Sequence, residues 1–246
     1  MRARLILFGL ALLALLPSPA RAQALVADLS DHLIAITAGF AGTDVLLFGA
    51  TEGEGDVIVM LRGPEAPVVV RRKTRAAGIW INTERITFTG APAFYRVAAS
   101  RPLDDIANAT LRARQQIGVD NLRMAPEREL TPAKLDAFRQ GLLRNKEREE
   151  LYSSKVTEVA FLGPRLFRTR FYLPANVPPG TYTVEVLLVR NNQVIAAQST
   201  PMVVTKTGIG ADVYYFAHNH AAVYGLLAVL IAVSTGWAAG TIFRKA

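Results

Sequence analysis

No cysteine occurs among the 246 residues, so disulfides, thiol nucleophiles and thiolate metal sites are all excluded. Histidine is nearly as scarce, at three. A Walker phosphate loop, a dinucleotide-binding glycine fingerprint and a His-Glu-x-x-His motif are also missing from the sequence. With these gone there is no catalytic or cofactor signature, and a non-enzymatic protein without a cofactor is expected. Charge is missing too, but only locally: residues 5–16 and Ala221–Phe243 each form an apolar run with no charged side chain.

The first run carries an address. Arg2 and Arg4 precede it, and Pro17, Ser18, Pro19 and the small-x-small triplet Ala20-Arg21-Ala22 follow. That order is a secretory signal peptide, residues 1–22, with the mature chain expected to start at Gln23. The Pro-rich break and the small residues favour cleavage over an uncleaved anchor. The formal net charge of +8 includes Arg2, Arg4 and Arg21, so the mature chain is near +5. A modest, scattered excess in an exported protein does not point to nucleic acid. Its densest cluster, Arg71-Arg72-Lys73 with Arg75, reads as the end of a β-hairpin. A solvated turn is the plainer reading of it, and a patch for anionic lipid or an acidic partner is the other.

The second run is long enough to span a bilayer. Its 23 residues, at about 1.5 Å each, reach about 34 Å against a hydrocarbon core of about 30 Å. Arg244 and Lys245 follow at once, which places a short tail, 244–246, in the cytoplasm by the positive-inside bias. The expected location is therefore the inner membrane, single-pass, with the preceding domain in the periplasm. Tyr214, Tyr215, Phe216 and Tyr224 flank the outer end, while Trp237 and Phe243 lie toward the inner one. Within the span Ala228, Ala232, Gly236 and Gly240 recur every four residues, a small-residue stripe ending in GxxxG. The partners this implies are the lipid bilayer and, through the stripe, a membrane transporter or a second copy of the chain; chance in an alanine-rich span gives the same spacing.

Between the two runs the signal is mainly β. Residues 23–101 show short β-branched and aromatic runs at 33–37, 44–48, 57–61, 68–72, 79–82, 85–89 and 94–98, punctuated by glycine and proline. Residues 102–152 lose that density and gain charge, and they read as a helical pair. One helix follows Leu103, Ile106, Leu111 and Ile117; the other starts at Thr131-Pro132, where threonine suits a cap and proline the first position, and carries Leu135, Phe138, Leu142 and Leu143 on one face. A helical connection packed on the β domain is the plainer reading, a partner-binding arm the other. Strand patterns return over 153–206, cleanest in Tyr182, Val184, Val186 and Leu188, between Pro178-Pro179-Gly180 and Asn191-Asn192. The expected fold is one or two immunoglobulin-like antiparallel β-sandwiches with an inserted helical pair, then a juxtamembrane tether, 207–220, and one C-terminal transmembrane helix.

Few residues are able to carry chemistry. Ser30, Asp31 and His32 are adjacent, and neighbours on one strand cannot form a nucleophile–base–orienter relay among themselves. His218 and His220 would face the same way on an extended segment and could share a metal, but diverge by about 200° on a helix. An interfacial polar cap is their expected role, so no metal site is assigned, and Met202 is a soft ligand only by conjecture. Asn108-Ala109-Thr110 matches a glycosylation sequon, a short pattern that recurs by chance.

The layout as a whole resembles a family of alphaproteobacterial transmembrane proteins of unassigned function. The resemblance rests on HLIAITAGFAGTDVLLF at 32–48 with Gly49-Ala50, VIVMLRGP at 57–64, FYLPANVPPGTYTV at 171–184 and the single terminal span. It covers nearly the whole chain and adds no site residues. It implies an accessory role beside a sulfite-exporter-like permease, near which members of that family are often encoded. The leading expectation is thus a membrane-anchored periplasmic interaction or accessory protein; the runner-up is an extracytoplasmic small-ligand or metal-binding domain.

Overall fold

The computed structural model describes residues 24–76, 78–208, 213 and 216–243. The expected signal peptide, the Arg244-Lys245 tail and part of the tether lie outside them.

Seven strands come first: β1 (Leu25–Leu29), β2 (Leu33–Ile36), β3 (Gly42–Thr51), β4 (Asp56–Arg62), β5 (Val68–Ala76), β6 (Ile79–Thr89) and β7 (Tyr95–Ala99). The middle of the chain supplies helices α1 (Leu103–Ile106), α2 (Ala109–Gln115) and α3 (Pro132–Arg148), with a 3-10 turn at Val119–Asn121 and the short strand β8 (Ala125–Pro126). Strands β9 (Thr157–Glu158), β10 (Ala160–Phe161), β11 (Leu166–Pro174), β12 (Gly180–Arg190) and β13 (Gln193–Lys206) follow, and α4 (Ala221–Phe243) ends the series. The protein is mainly β, built from several largely antiparallel sheets and one C-terminal apolar helix.

Strand order is β1-β3-β11-β10 in a four-stranded sheet and β2-β13-β12-β4-β7-β9 in a six-stranded one. Both sheets mix strands from before and after the helical stretch: β3 pairs with β11, and β4 with β12. The two β segments therefore close around a single core. Among the described strand pairs, β2–β13 and β7–β9 run parallel, at the margins of the larger sheet.

Strand β4 explains that core. Its run Val57-Ile58-Val59-Met60-Leu61 is fully buried, as a continuous apolar strand must be when both faces are covered. On one face, Arg62 follows the parity of Ile58 and Met60 and donates to the Gln115 carbonyl at 2.7 Å. Tyr95, directly across from Arg62, donates to the Gln116 carbonyl at 2.7 Å and accepts from the Gly118 amide at 2.9 Å. The helical stretch lies over this face. On the opposite face, Gln198 of β13 shares the side of Val186 and reaches β1. Its amide accepts from the Ala27 N–H at 2.8 Å and donates to the Ala27 carbonyl at 2.6 Å. One side chain thus satisfies the free edge of β1 as a neighbouring strand would and joins the two sheets.

Local structure departs from the sequence expectation in three places. The stretch expected as one helix from Pro102 breaks at Ala107, and Asn108 restarts it as the cap of α2, accepting from the Leu111 amide at 2.9 Å. Thr131 stands at the cap position of α3, but its side chain makes no capping bond; Pro132 alone marks the start. The runs 79–82 and 85–89, expected as two strands, form the single strand β6, because an irregularity between Arg72 and Lys73 accommodates Thr83 and keeps the ladder intact.

Candidate functional site

The four-stranded sheet covers only its inner face. Leu25, Ala27 and Leu29 of β1, Val45 and Leu47 of β3, and Phe167, Phe171 and Leu173 of β11 point into the core. The other parity faces outward in cross-strand rows fixed by the register. Val26, Ala50 and Leu166 form one row, Asp28, Phe48 and Arg168 the next, and Asp44 stands beside Tyr172 further along. The first row is apolar yet open, and Phe48 extends it into the second, between the charged Asp28 and Arg168: Val26 is 51% exposed, Phe48 47% and Leu166 57%. With Leu162 they line a shallow depression of about 370 Å³. Gly49 holds the floor. A Cβ there would stand 2.5 Å from both the Phe167 ring and the Val26 carbonyl oxygen, so only glycine lets Phe167 cross the strand.

A second concavity, about 830 Å³ and polar, lies at the end of the larger sheet where β12 turns into β13. Asn191 and Asn192 both take positive φ, at 48° and 63°, forming the expected tight turn. Several of its charged groups are paired or hydrogen-bonded within the protein. Asp56 accepts from Arg101 Nε at 2.8 Å and from Ser100 Oγ at 3.1 Å. The Arg101 hydrogen bond holds the Asp56 carboxyl below its ordinary value, against a smaller opposing effect of burial. Asp104 pairs with Arg112 at 2.7 Å, Arg190 donates to the Glu54 carbonyl at 2.7 Å, and the Asn192 side chain accepts from the Asn108 amide at 2.7 Å. This network ties the far ends of β4, β7 and β12 together.

Three buried tyrosines are pins rather than acids. Tyr95 is held by Gln116 and Gly118 as above, Tyr152 donates to the Pro92 carbonyl at 2.6 Å, and Tyr182 to the Pro178 carbonyl at 2.6 Å. Burial pushes the Tyr95 phenol up to about 12 and raises the other two as well. Tyr182 bonds back to the backbone just upstream of its own strand and so fixes the turn that leads into β12.

The residues singled out in the sequence fall apart from one another. Ser30 Oγ donates to Asp31 at 2.9 Å, while His32 Nε2 lies 3.0 Å from Asp28 instead, so the three neighbours assemble no relay. His220 donates its amide to the Phe216 carbonyl at 2.9 Å and Tyr224 donates to that of His220, so the backbone around both His218 and His220 is helical and the paired-ring geometry of an extended segment is not formed. The Phe216 ring instead lies against both His220, tilted at 5.7 Å between centroids, and Tyr224, edge-on at 6.4 Å. Among the described residues no three His, Asp or Glu side chains gather as a metal-ion set. Met202 is buried in the core.

Ala228, Ala232, Gly236 and Gly240 share one side of the uninterrupted helix α4. A Cβ at Gly236 or Gly240 would meet nothing, so the stripe is open to a neighbour. Two hydroxyls of the span are satisfied within the helix: Ser234 donates to the Leu230 carbonyl at 2.7 Å and Thr235 to that of Ile231 at 2.8 Å. The apolar outward patch of the four-stranded sheet was not singled out in the sequence. Alternation shows which residues share a face, not which face stays uncovered.

Compared with known families, residues 24–245 match the model described as "Putative transmembrane protein (Alph_Pro_TM)". A comparison with curated proteins finds no match.

Proposed function

We propose, from the premise that this chain belongs to that transmembrane protein family, that it is a non-enzymatic periplasmic interaction module. In this reading α4 anchors it in the inner membrane with the β domain outside and the C-terminus in the cytoplasm, and its partner is a membrane transporter of the sulfite-exporter-like class. The observation that carries this reading is the outward face of the four-stranded sheet: Val26, Phe48 and Leu166 form an apolar surface that the fold itself does not bury. The open small-residue stripe at Ala228, Ala232, Gly236 and Gly240 supports a second contact, within the bilayer.

The test is purification of the full-length protein from its native membrane in mild detergent, with mass spectrometry of what accompanies it and a photo-crosslinking residue at position 48. Recovery of the permease, crosslinked through position 48, is the expected result. Recovery of the protein alone, without crosslinks, would sink the transporter reading. Replacing Gly236 and Gly240 by leucine separates the two surfaces: association unchanged by that pair removes any role for the stripe. The polar cleft around Asp56 and Arg101 favours a second reading, a small-ligand domain, but Asp56 and Asp104 are already paired with Arg101 and Arg112 within the protein.

A further inference from the structure

We propose that the distal half of the β5–β6 hairpin is a finger that dips its tip into the anionic surface of the bilayer in which α4 is anchored. The hairpin, residues 68–89, carries five basic side chains, Arg71, Arg72, Lys73, Arg75 and Arg85, against one acidic, Glu84. Its base is held by the rest of the protein. Arg72 lies over the Phe138 ring of α3 at 4.9 Å, and Glu84 is neutralised by Lys134 at 2.8 Å and Arg72 at 3.6 Å. Beyond that point Lys73 and Arg75 are exposed, as is Arg71 just before it, and residues 76–83 carry no charge at all.

Within this uncharged tip Trp80 is 68% exposed and Ile79 65%, with Ile81 also open. Trp80 stands opposite Arg75, and Ile81 opposite Thr74, so adjacent apolar residues emerge on opposite faces of the ribbon. A flat protein surface could cover one of those faces; a fluid interface surrounds both. Trp and Ile at the tip behind a collar of Arg and Lys match an interface with apolar chains below and anionic headgroups above.

The finger is also rooted at the right end. Gly180 pairs with Val204 near the end of β13, and a Cβ on Gly180 would lie 2.7 Å from Pro64, just before β5. The hairpin therefore leaves the larger sheet at the end from which the chain runs on to the span. The nine residues 207–215, between β13 and the helical backbone at Phe216, reach at most about 30 Å, and a nine-residue strand about 30 Å, so tip and bilayer can meet. The inference needs only the membrane anchor, not the transporter partner.

The test uses full-length protein carrying Trp237→Phe, which leaves Trp80 as the sole tryptophan. It is reconstituted in vesicles of phosphatidylglycerol mixed with phosphatidylcholine bearing brominated acyl chains. The expected result is quenching of Trp80 by bromine and protection from aqueous iodide, both independent of protein-to-lipid ratio and weakened by salt. Replacing Lys73 or Arg75 by glutamine should lower the contact equilibrium about five-fold per charge. These side chains are exposed, so an unchanged melting curve will show that the fold is intact. Iodide-accessible, bromine-insensitive Trp80 on anionic vesicles overturns the proposal. So does shielding that grows with protein density, which would assign the tip to a second copy, or shielding that appears only when native membrane proteins are added, which would assign it to a protein partner.

Discussion

Strands β3 and β4 are both interior to their sheets, β3 between β1 and β11 and β4 between β12 and β7. They are covered very differently. Every residue of 57–61 is buried, whereas β3 buries Val45, Leu47 and Thr51 and turns Asp44 and Phe48 outward. An apolar residue in β4 is accounted for by stability, since each such side chain contributes about 1.5–3 kcal/mol by leaving water. Phe48 has no such account, which is why its face is read as a surface for something else.

The sharpest test of the contrast is a truncation in β4. Leu61→Ala should cost about 2–5 kcal/mol, because covering layers on both faces leave little room to collapse into the cavity. Urea unfolding of the β domain followed by circular dichroism reads it, and a cost below about 1 kcal/mol would mean that the strand is not the closed centre described here. Next in size is Tyr152→Phe. It leaves the buried Pro92 carbonyl without its donor and should cost about 1–3 kcal/mol, whereas Tyr172→Phe, on the open side of β11, should cost far less.

Asp56 tests the far end of β4 through pH. Its folded value is depressed, chiefly by the Arg101 hydrogen bond, so its contribution is fully present above the unfolded value near 3.8 and is lost as pH falls through the lower folded value. The wild type should therefore lose stability between about pH 4 and the folded value more steeply than Asp56→Asn, which lacks this proton linkage. Parallel acid limbs for the two proteins would show that the Arg101 pair does not hold in solution.

The same contrast marks how far the sequence can be read. The run Val57–Leu61 announces a strand covered on both sides, and the alternation of Tyr182, Val184, Val186 and Leu188 announces its neighbour. That β3 pairs with β11 across more than a hundred residues has no local signal, because partner choice is made by the closing of the core. Gln198 reads as an exposed polar residue of a strand, and only the approach of β1 gives its amide two backbone partners. The outer rows were hidden for a different reason. In Leu166-Phe167 both parities are apolar, so periodicity cannot say which one enters the core.

The smallest expected effect on folding belongs to the outer face and decides what that face is for. Phe48→Lys places a cation on a row that already carries Asp28 and Arg168, at a position nearly half open to solvent. Stability should therefore stay within about 0.5 kcal/mol of the parent, as for other surface changes. Association should not. If Val26, Phe48 and Leu166 are the contact, a charge at its centre is stranded without water when the partner docks, at a cost of several kcal/mol and a large loss of co-purifying permease. Lysine at Ile195, another exposed apolar residue but on β13, serves as the control and should leave association intact. Equal loss from both substitutions would mean that the effect is general surface charge, and no loss from either would return Phe48 to the ordinary scatter of exposed apolar residues.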